Sequence, residues 1–360
     1  MKIIHCGDLH LDSRMESVLP REKAKERKNE ILMTFLKMVD YARKNWVSVI
    51  MIAGDMFDTR TVSAKVRNTV LDAIRSNPGI TFLYLKGNHD SDNFMDGMPD
   101  KPENLKFFGA EWTRYEFEDV VICGVELNEK NTDRIYDSLI LDSRRLNIVM
   151  LHGQESTSVV KDKAEIINLK ELKGKNIDYL ALGHVHSYKT GTLDSRGSYA
   201  YCGCLEGRGF DECGEKGFVL LEADSGRLST QFIPAASRTL HEKVVDVTGL
   251  ESTIQMLKKV EEAVEGIPEN DLVKIVLTGR ISIDTEKDIR YLEQFLLDRF
   301  YFGRVKDLTK LEIKIEEYQH DATLKGEFIR LVLASSLAEE EKQQVIVCGI
   351  KALSGEELDE

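Results

Sequence analysis

The stretch that decides the fold is KIIHCGDLH, residues 2–10. Its adjacent isoleucines, Ile3 and Ile4, indicate a buried strand, and Gly7 suits a sharp turn at the end of that strand. Asp8 and His10 follow the turn two residues apart, so both side chains can reach one metal ion. Because Asp-x-His is common by chance, this stretch alone does not establish a metal site. The support comes from later polar clusters that also follow predicted strands.

Four further polar clusters each come directly after a predicted strand. They are Gly54-Asp55-Met56-Phe57-Asp58, Gly87-Asn88-His89-Asp90, His152-Gly153 and Gly183-His184-Val185-His186. In α/β sheets, functional groups gather at the carboxyl ends of the strands. One such cluster alone is often an ordinary polar turn. Five clusters, each after a strand, predict a shared site at the carboxyl ends of the strands.

The clusters together offer seven candidate metal ligands: Asp8, His10, Asp55, Asn88, His152, His184 and His186. This number exceeds the needs of one tetrahedral zinc ion and suits two divalent cations bridged by a carboxylate. The mixture of carboxylate, amide and imidazole groups favours Mn, Fe or Zn over Cu(I). It contains too much imidazole for Ca or Mg.

The first part of the chain alternates apolar runs with amphipathic stretches. Strands are predicted over Lys2–Cys6, Val47–Ala53 and Thr81–Leu85, with helices over Arg21–Asn45 and Ala64–Ser76 between them. Later strands are predicted over Val120–Val125, Asn147–Leu151, Tyr179–Leu182, Gly217–Glu222 and Arg227–Ile233. This order predicts an α/β sandwich with sheets inside and helices outside, over residues 1–236.

The pattern changes near Ser237. Residues 237–317 predict a small α/β cap domain, in which Thr248 is the expected N-cap of a first helix over Leu250–Glu265. A second helix is predicted over Glu286–Phe302. Residues 318–360 predict a helical tail, whose first helix carries an apolar face formed by Leu324, Phe328, Leu331 and Val332.

Composition sets bounds on the function. The 360 residues carry a formal net charge of -13, so bulk charge gives no support to binding of a polyanion. No signal-peptide pattern or membrane span is present, which predicts a soluble cytoplasmic protein. Six thinly spread cysteines fit reduced thiols. Cys202, Cys204 and Cys213 cluster, either as a zinc or redox site or as incidental small core residues.

The ordered clusters resemble the motifs of the calcineurin-like metallophosphoesterase superfamily, D-x-H, G-D-x-x-D, G-N-H-[DE], H and G-H-x-H. The resemblance covers residues 1 to about 235, and every motif position is filled. It implies a four-layer α/β/β/α sandwich. The flanks His5–Leu11, Ala53–Asp58 and Leu85–Asp90 also resemble the SbcD-type DNA repair exonucleases, the nuclease subunits of bacterial SbcCD complexes.

The resemblance implies a role for each motif residue. One metal ion would take Asp8, His10, Asp55 and His186, and the other Asp55, Asn88, His152 and His184, with Asp55 as the bridge. The metal in the nuclease branch is usually Mn²⁺. A hydroxide held by the metals would attack phosphorus in line. His89 would steer the phosphate or protonate the leaving 3′-oxygen.

Two further residues are candidates with open alternatives. Relatives of the archaeal and eukaryotic type commonly carry histidine at the position of Asp58. Here Asp58 either orients His89 as an Asp–His pair or caps the turn after Asp55. Arg208 lies in the glycine-flanked turn Glu206-Gly-Arg-Gly-Phe210 and either contacts a phosphate of the substrate or is an ordinary surface arginine.

The resemblance implies a Mn²⁺-dependent DNA exo/endonuclease that forms a homodimer. Its residues 318–360 would grip the coiled-coil base of an SbcC-like ATPase, although an amphipathic tail can equally pack on its own domain. The alternatives are a stand-alone phosphodiesterase or phosphatase for nucleotides or other small esters, and a scaffold that has lost catalysis. The intact ligands and His89 argue against the scaffold.

Overall fold

The computed structural model describes residues 1–15, 19–58, 62–90, 101–132, 134–156, 166–282, 285–312 and 322–353. The chain divides into two compact units, Met1–Thr239 and Leu240–Glu360. The mixed α/β class predicted from the sequence is confirmed. The three functional domains, and the order of four layers, stay predictions.

The first unit alternates strands and helices before it becomes rich in strands. Its elements are β1 (Lys2–Cys6), α1 (Arg21–Lys44), β2 (Val47–Ala53), α2 (Ala64–Arg75), β3 (Thr81–Leu85), β4 (Leu105–Phe107), β5 (Thr113–Phe117), β6 (Val120–Gly124), α3 (Ile135–Ser138), β7 (Leu146–His152), β8 (Gln154–Ser156), β9 (Ile166–Asn168), α4 (Leu169–Leu172), β10 (Tyr179–Gly183), β11 (Lys189–Thr192), β12 (Ser198–Tyr201), β13 (Gly217–Asp224) and β14 (Arg227–Pro234).

Two six-stranded sheets form the centre of this unit, with strand orders β14-β13-β1-β2-β3-β4 and β11-β12-β10-β7-β6-β5. Apolar side chains from both sheets pack into one buried cluster; Ile3, Met51 and Leu83 come from the first sheet, Ile148 and Ala181 from the second. A second buried cluster joins β7 and β10 to the short helices α3 and α4. The sheets therefore face each other across the main core.

Strand direction brings the five polar clusters together. In the first sheet, β1, β2 and β3 run parallel, and in the second sheet β7 runs parallel to β10. Each of these strands ends at one of the clusters, so every cluster lies at the carboxyl edge of its sheet. This edge is where α/β proteins usually carry their functional groups.

A buried histidine lies on the inner face of β1. The His5 ring is fully buried, and its Nδ1 lies 2.9 Å from the hydroxyl oxygen of Tyr179. Burial lowers the pKa of His5 to about 3. His5 is therefore neutral in the folded protein at pH values where an exposed histidine is already protonated.

The unfolding free energy should consequently fall as the pH drops below the pKa of an unfolded histidine, about 6.5. Protonation favours the unfolded chain, so stability is present above pH 6.5 and is lost as the pH falls toward the folded-state pKa. Between pH 7 and pH 5, His5 alone should remove about 2 kcal/mol. Urea unfolding of the wild type and of His5→Gln measures the difference; parallel pH profiles of the two proteins would contradict this assignment.

The second unit begins with a small α/β fold. Its elements are β15 (Leu240–Asp246), α5 (Thr253–Ala263), β16 (Leu272–Thr278), β17 (Arg280–Ser282), α6 (Ile289–Arg299), β18 (Phe302–Asp307) and β19 (Lys310–Glu312). Strands β15, β16 and β18 form a parallel sheet, and α5 and α6 cover one of its faces. Residues 313–321 lie outside the described residues.

Two sequence predictions in this unit are wrong in their bounds. Helix α5 is capped by Ser252, whose side chain accepts a hydrogen bond from the Gln255 N–H, and not by Thr248. Thr248 is instead held by the Asp246 carboxylate. The predicted helix that reached Phe302 ends at Arg299, because Phe302 begins β18.

Two helices, α7 (Leu324–Leu333) and α8 (Glu339–Leu353), form the end of the described chain. They pack through Ile329, Val332 and Ile346. Leu324, which the sequence pattern assigns to the apolar face, is 71% exposed. The predicted pair of helices is thus present, but its buried face is shifted toward Ile329. Within the described ranges, no helix is both long and apolar enough to cross a bilayer.

Candidate metal centre

Backbone hydrogen bonds hold the loops after β1 and β2 side by side. The Asp8 N–H donates to the Gly54 carbonyl at 3.0 Å, and the His10 N–H donates to the Asp55 carbonyl at 2.9 Å. The loop after β10 joins them through the His184 N–H, which contacts both carboxylate oxygens of Asp8 at 2.9 and 3.0 Å. The two sheets are therefore linked directly at the site.

Four of the candidate ligands adopt the left-handed backbone conformation. The φ angles are 48° at Asp8, 43° at His10, 50° at Asp55 and 97° at His184. Positive φ angles are disfavoured for residues other than glycine, and the non-glycine residues that adopt them cluster at functional sites. The four residues with this strained backbone are all candidate metal ligands, and they lie together at the candidate site.

Two glycines allow the sheets to approach each other at this point. A Cβ atom at Gly54, whose φ is 92°, would lie 2.0 Å from His152 Nδ1. At Gly183 a Cβ atom would lie 1.7 Å from the Ala53 carbonyl oxygen. Only glycine fits either position without displacing the residues that form the site.

Gly54→Ala should therefore destabilise the protein by about 2 kcal/mol or more and weaken its affinity for divalent cations, because the new methyl group displaces the His152 ring. Urea unfolding and metal titration measure the two effects. Gly79→Ala is the matched control, since a Cβ there meets nothing within 4 Å. Equal behaviour of the two variants would contradict the close approach at Gly54.

Two groups of candidate ligands lie within metal-binding reach of one another. Asp8, His10 and His186 form one group, and Asp8, Asp55 and His152 form the other, with all ligand atoms of each group within 4.8 Å. Asp55 Oδ2 lies 3.4 Å from His152 Nε2 and 3.9 Å from His10 Nε2. Asp8 belongs to both groups, and Asp55 of the second group also lies within 4 Å of His10 of the first.

Asn88 and His184 lie beside the second group. Asn88 Oδ1 lies 2.9 Å from His152 Nε2 and 3.4 Å from His184 Nδ1. All seven ligands predicted from the sequence therefore lie at one site. Their role as ligands stays a prediction.

The orientation of three imidazoles fits a cation. The Nδ1 atom faces the Asp58 carboxylate in His10, the Ala53 carbonyl in His152 and the Glu212 carboxylate in His186. Because these oxygens only accept, each Nδ1 donates to its oxygen, which leaves Nε2 as the nitrogen that a neutral ring can offer to a cation. The Nε2 atoms of His10 and His186 lie 3.1 Å apart. One cation could be held by both, so the donor set fits the metal that the motifs imply.

Electrostatics also favour positive charge here. The carboxylates of Asp8 and Asp55 are each 1% exposed, and no lysine or arginine in the described part of the chain forms an ion pair with either. Burial raises the pKa of Asp8 to about 6. Burial opposes ionisation of Asp55, but the His152 ring and the His89 N–H outweigh it and lower the Asp55 pKa to about 2.

The same carboxylates act on His152. Burial alone would lower its pKa, but the hydrogen bond with Asp55 and the charge of Asp8 raise it to about 9. Two buried carboxylates without a lysine or arginine partner among the described residues thus draw positive charge into the site. Divalent cations would supply that charge.

His89 stands at the open side of the site. Its ring is half exposed and lies edge-on to the His10 ring, with 5.3 Å between centroids. Its backbone N–H donates to Asp55 Oδ1 at 2.9 Å. The backbone of His89 therefore supports the candidate bridge, while the side chain is left accessible to a substrate.

Asp58 contacts His10 more closely than His89. Asp58 Oδ1 lies 3.1 Å from His10 Nδ1 but 3.7 Å from His89 Nδ1, which is beyond hydrogen-bond distance. The turn after Asp55 is instead held by Asp90, which accepts hydrogen bonds from the Phe57 and Gly87 N–H groups. A catalytic role of Asp58 through His89 stays a prediction.

Arg208 is not an ordinary surface arginine. Its side chain is 18% exposed and contacts Glu212 and Asp58. Sequence reasoning missed Glu212, which is buried and lies 2.7 Å from His186 Nδ1. A single sequence carries no signal for that contact, because 26 residues separate the partners. Contact of Arg208 with a substrate phosphate stays a prediction.

Among the described residues, the cysteine cluster takes part in neither candidate metal group. Neither of the two metal-ligand groups found among the described residues contains a cysteine. Cys202 lies in the core between the sheets, and burial raises its pKa far above that of a free thiol. Cys213 is only partly buried, and its thiol faces the Phe210 carbonyl. Their surroundings favour the interpretation of these cysteines as core and turn residues.

The chain is similar to known phosphoesterases and DNA repair proteins. The family model for the calcineurin-like phosphoesterases matches residues 1–188, more than half of the chain. The chain is 26% identical to the uncharacterized metallophosphoesterase YhaO of Bacillus subtilis, over 78% of this chain and 72% of that protein. It is 23% identical to the DNA double-strand break repair protein Mre11 of Sulfurisphaera tokodaii, over 96% and 92% of the two chains. It is 24% identical to a subunit of the nuclease SbcCD of Escherichia coli, over 64% and 67% of the two chains.

Proposed function

The chain belongs to the calcineurin-like phosphoesterase family and is a metal-dependent hydrolase, and from this premise we propose that it is a dinuclear phosphodiesterase that cleaves DNA with Mn²⁺. We further propose that it acts as the nuclease subunit of an SbcCD-like repair complex. One observation carries the proposal: two adjacent ligand groups meet at the buried carboxylates of Asp8 and Asp55.

Each proposed cation has four protein ligands. The first would be held by Asp8, His10, Asp55 and His186, and the second by Asp55, Asn88, His152 and His184. When bound, the pair supplies Lewis-acid chemistry, neutralising charge on the phosphate oxygens and acidifying water. The protein contributes fixed imidazole orientations and a site in which Asp55 is shared.

His89 is the proposed catalytic residue outside the ligand set. Its ring is half exposed beside His10, so a phosphate at the cation pair would lie within its reach. A protonated imidazole there can bind a phosphate oxygen or donate its proton to the leaving 3′-oxygen. Either role lowers the barrier without requiring His89 to bind a cation.

DNA as the substrate is supported by the relatives, which include a double-strand break repair protein and a nuclease subunit. The net charge of -13 opposes unaided binding of a polyanion. We therefore propose that residues 237–317 form a cap that contributes to DNA binding and that a partner subunit supplies further affinity.

The proposed partner is an SbcC-like coiled-coil ATPase that docks on residues 318–360. Exposed apolar side chains on α7, such as Leu324 and Leu331, support a helix-mediated contact. We also propose that the chain forms a homodimer and is located in the cytoplasm.

The second candidate function is a stand-alone phosphodiesterase for nucleotides or other small esters. The acidic composition is the observation that favours it. Assays with linear double- and single-stranded DNA and with bis-p-nitrophenyl phosphate, in Mn²⁺ and in EDTA, distinguish the two. Cleavage of DNA supports the nuclease. Cleavage of the small diester alone, even with a coiled-coil ATPase partner added, would contradict it.

A further inference from the structure

Three charged side chains join one another behind two of the metal-ligand histidines. They are Asp58, Arg208 and Glu212, with side chains 21%, 18% and 4% exposed. None belongs to the ligand set of the proposed function. Their burial next to the site calls for an explanation, because desolvating three charged groups is costly unless their contacts serve a purpose.

Glu212 orients His186. Its Oε1 atom lies 2.7 Å from His186 Nδ1 and accepts a hydrogen bond from Arg208 Nη2 at 2.7 Å. Its Oε2 atom accepts from the Arg208 backbone N–H, also at 2.7 Å. Arg208 thus grips the carboxylate through side chain and backbone together, which leaves Glu212 a single position.

Asp58 acts on His10 in the same way. Its Oδ1 atom lies 3.1 Å from His10 Nδ1 and 3.3 Å from Arg208 Nη1, while its Oδ2 atom accepts from Ser13 Oγ at 2.7 Å. The planar guanidinium of Arg208 therefore connects the two carboxylates. A lysine could not do so, because its single ammonium group lacks the fork geometry.

These contacts determine the tautomers of both histidines. Arg208 Nη2 lies 3.2 Å from His186 Nδ1 and offers a competing donor. The Glu212 carboxylate can only accept, and its shorter contact assigns the proton to His186 Nδ1. In the same way, the Asp58 carboxylate can only accept, so it assigns a proton to His10 Nδ1. Both Nε2 atoms then present lone pairs toward one point, 3.1 Å apart.

We infer that Glu212, Arg208 and Asp58 form one positioning unit that fixes His186 and His10 and sets the affinity of the first cation site alone. The inference rests on the proposed two-cation site. The second site does not depend on this unit, because His152 Nδ1 is held by the Ala53 carbonyl at 2.9 Å. A merely structural role of the three residues would not separate the two sites in this way.

The test is calorimetric titration of Mn²⁺ into the EDTA-stripped full-length protein. Glu212→Gln should weaken binding about 10–100-fold at one of the two sites, the usual effect of removing a histidine's outer partner. The other site should keep its affinity. Glu215→Gln is the matched control, since Glu215 is an exposed carboxylate three residues further on and should bind as the wild type does.

The coupling within the unit is tested by Asp58→Asn and the double variant. Each single change should weaken the first site, and the double variant should lose less than the product of the two losses, because Arg208 links them. If Glu212→Gln does not fold, as judged by thermal melting of the metal-free protein, Arg208→Lys replaces it with the same expected loss at one site. Unchanged affinity at both sites, or equal losses at both, would overturn the inference.

This result is independent of the substrate. Failure of the wild type to cleave DNA while the site-selective loss is observed would overturn the nuclease proposal and leave the positioning unit intact. If the wild type cleaves DNA but Glu212→Gln leaves both metal affinities unchanged, the positioning unit is overturned and the nuclease proposal stands.

Discussion

Replacing Asp55 with asparagine should lower the hydrolysis of any phosphodiester about a thousandfold or more, which corresponds to about 4 kcal/mol of lost transition-state stabilisation. Asp55 Oδ2 is the one carboxylate atom within 4 Å of both His10 Nε2 and His152 Nε2 among the ion pairs of the described residues. An asparagine keeps the shape of the side chain but removes the charge that two cations would share. Metal content should therefore fall below two ions per chain together with the activity.

The measurement combines kinetics with elemental analysis of the purified variant. Asp72→Asn serves as the control, because Asp72 is an exposed residue of α2 paired only locally with Arg75. Thermal melting of the metal-free proteins checks that each variant folds. An Asp55→Asn protein that retains both ions and more than about a tenth of wild-type turnover, a loss under about 1.4 kcal/mol, would contradict the bridging role.

Replacing His89 with asparagine should lower turnover on DNA about 10²–10⁴-fold, the usual contribution of a positioned acid or base. The metal content should not change, because the backbone N–H of residue 89, rather than its ring, contacts Asp55. The leaving group decides between the two proposed roles of the ring. A 3′-alkoxide needs a proton, whereas p-nitrophenolate leaves without one.

A proton donor therefore predicts a large loss on DNA and a small loss on bis-p-nitrophenyl phosphate. Comparable losses on both substrates would assign His89 to binding of the phosphate instead. Asp72→Asn is again the control, since Asp72 is exposed on α2 and lies outside both the candidate site and the proposed cap. Loss of bound metal in His89→Asn, or unchanged turnover on both substrates, would contradict either catalytic role.

The sequence predicts the elements that carry the site because their signals are local. The bounds predicted for β1, β2 and β3 are those of the structure. In each case a mainly apolar run is buried on both faces and is followed within two residues by a glycine, so no distant partner is needed to recognise it. The five clusters meet at one edge because parallel strands share a direction, which alternating strands and helices already imply.

The contacts that orient the ligands could not be predicted in the same way. The contacts of Glu212 with His186 and of Asp58 with His10 join residues that are 26 and 48 positions apart along the chain, so they exist only in the folded protein. The sequence left Asp58 either paired with His89 or capping the turn after Asp55, and in the structure its carboxylate lies closer to His10 than to His89. The edge strands β4 and β11 have only three and four residues, and Leu105 is the one buried residue in the two strands, so they lack the apolar periodicity that marks the central strands.

The end of α6 illustrates a third limit. The apolar residues of 286–302 continue a helical pattern, yet Phe300 adopts an extended conformation and Phe302 starts β18 beside β16. Pairing with a formed strand outweighs the weak local preference for helix. Tertiary contacts decide where such a helix ends, and these contacts cannot be read from a single sequence.

Titration of Mn²⁺ into the metal-free protein, while bis-p-nitrophenyl phosphate cleavage is followed, tests whether a pair of cations on the seven clustered ligands performs hydrolysis. Two ions should bind per chain, and activity should rise with occupancy of the second. Full activity with one ion per chain, or two bound ions without any hydrolysis of this diester or of DNA, would contradict this expectation.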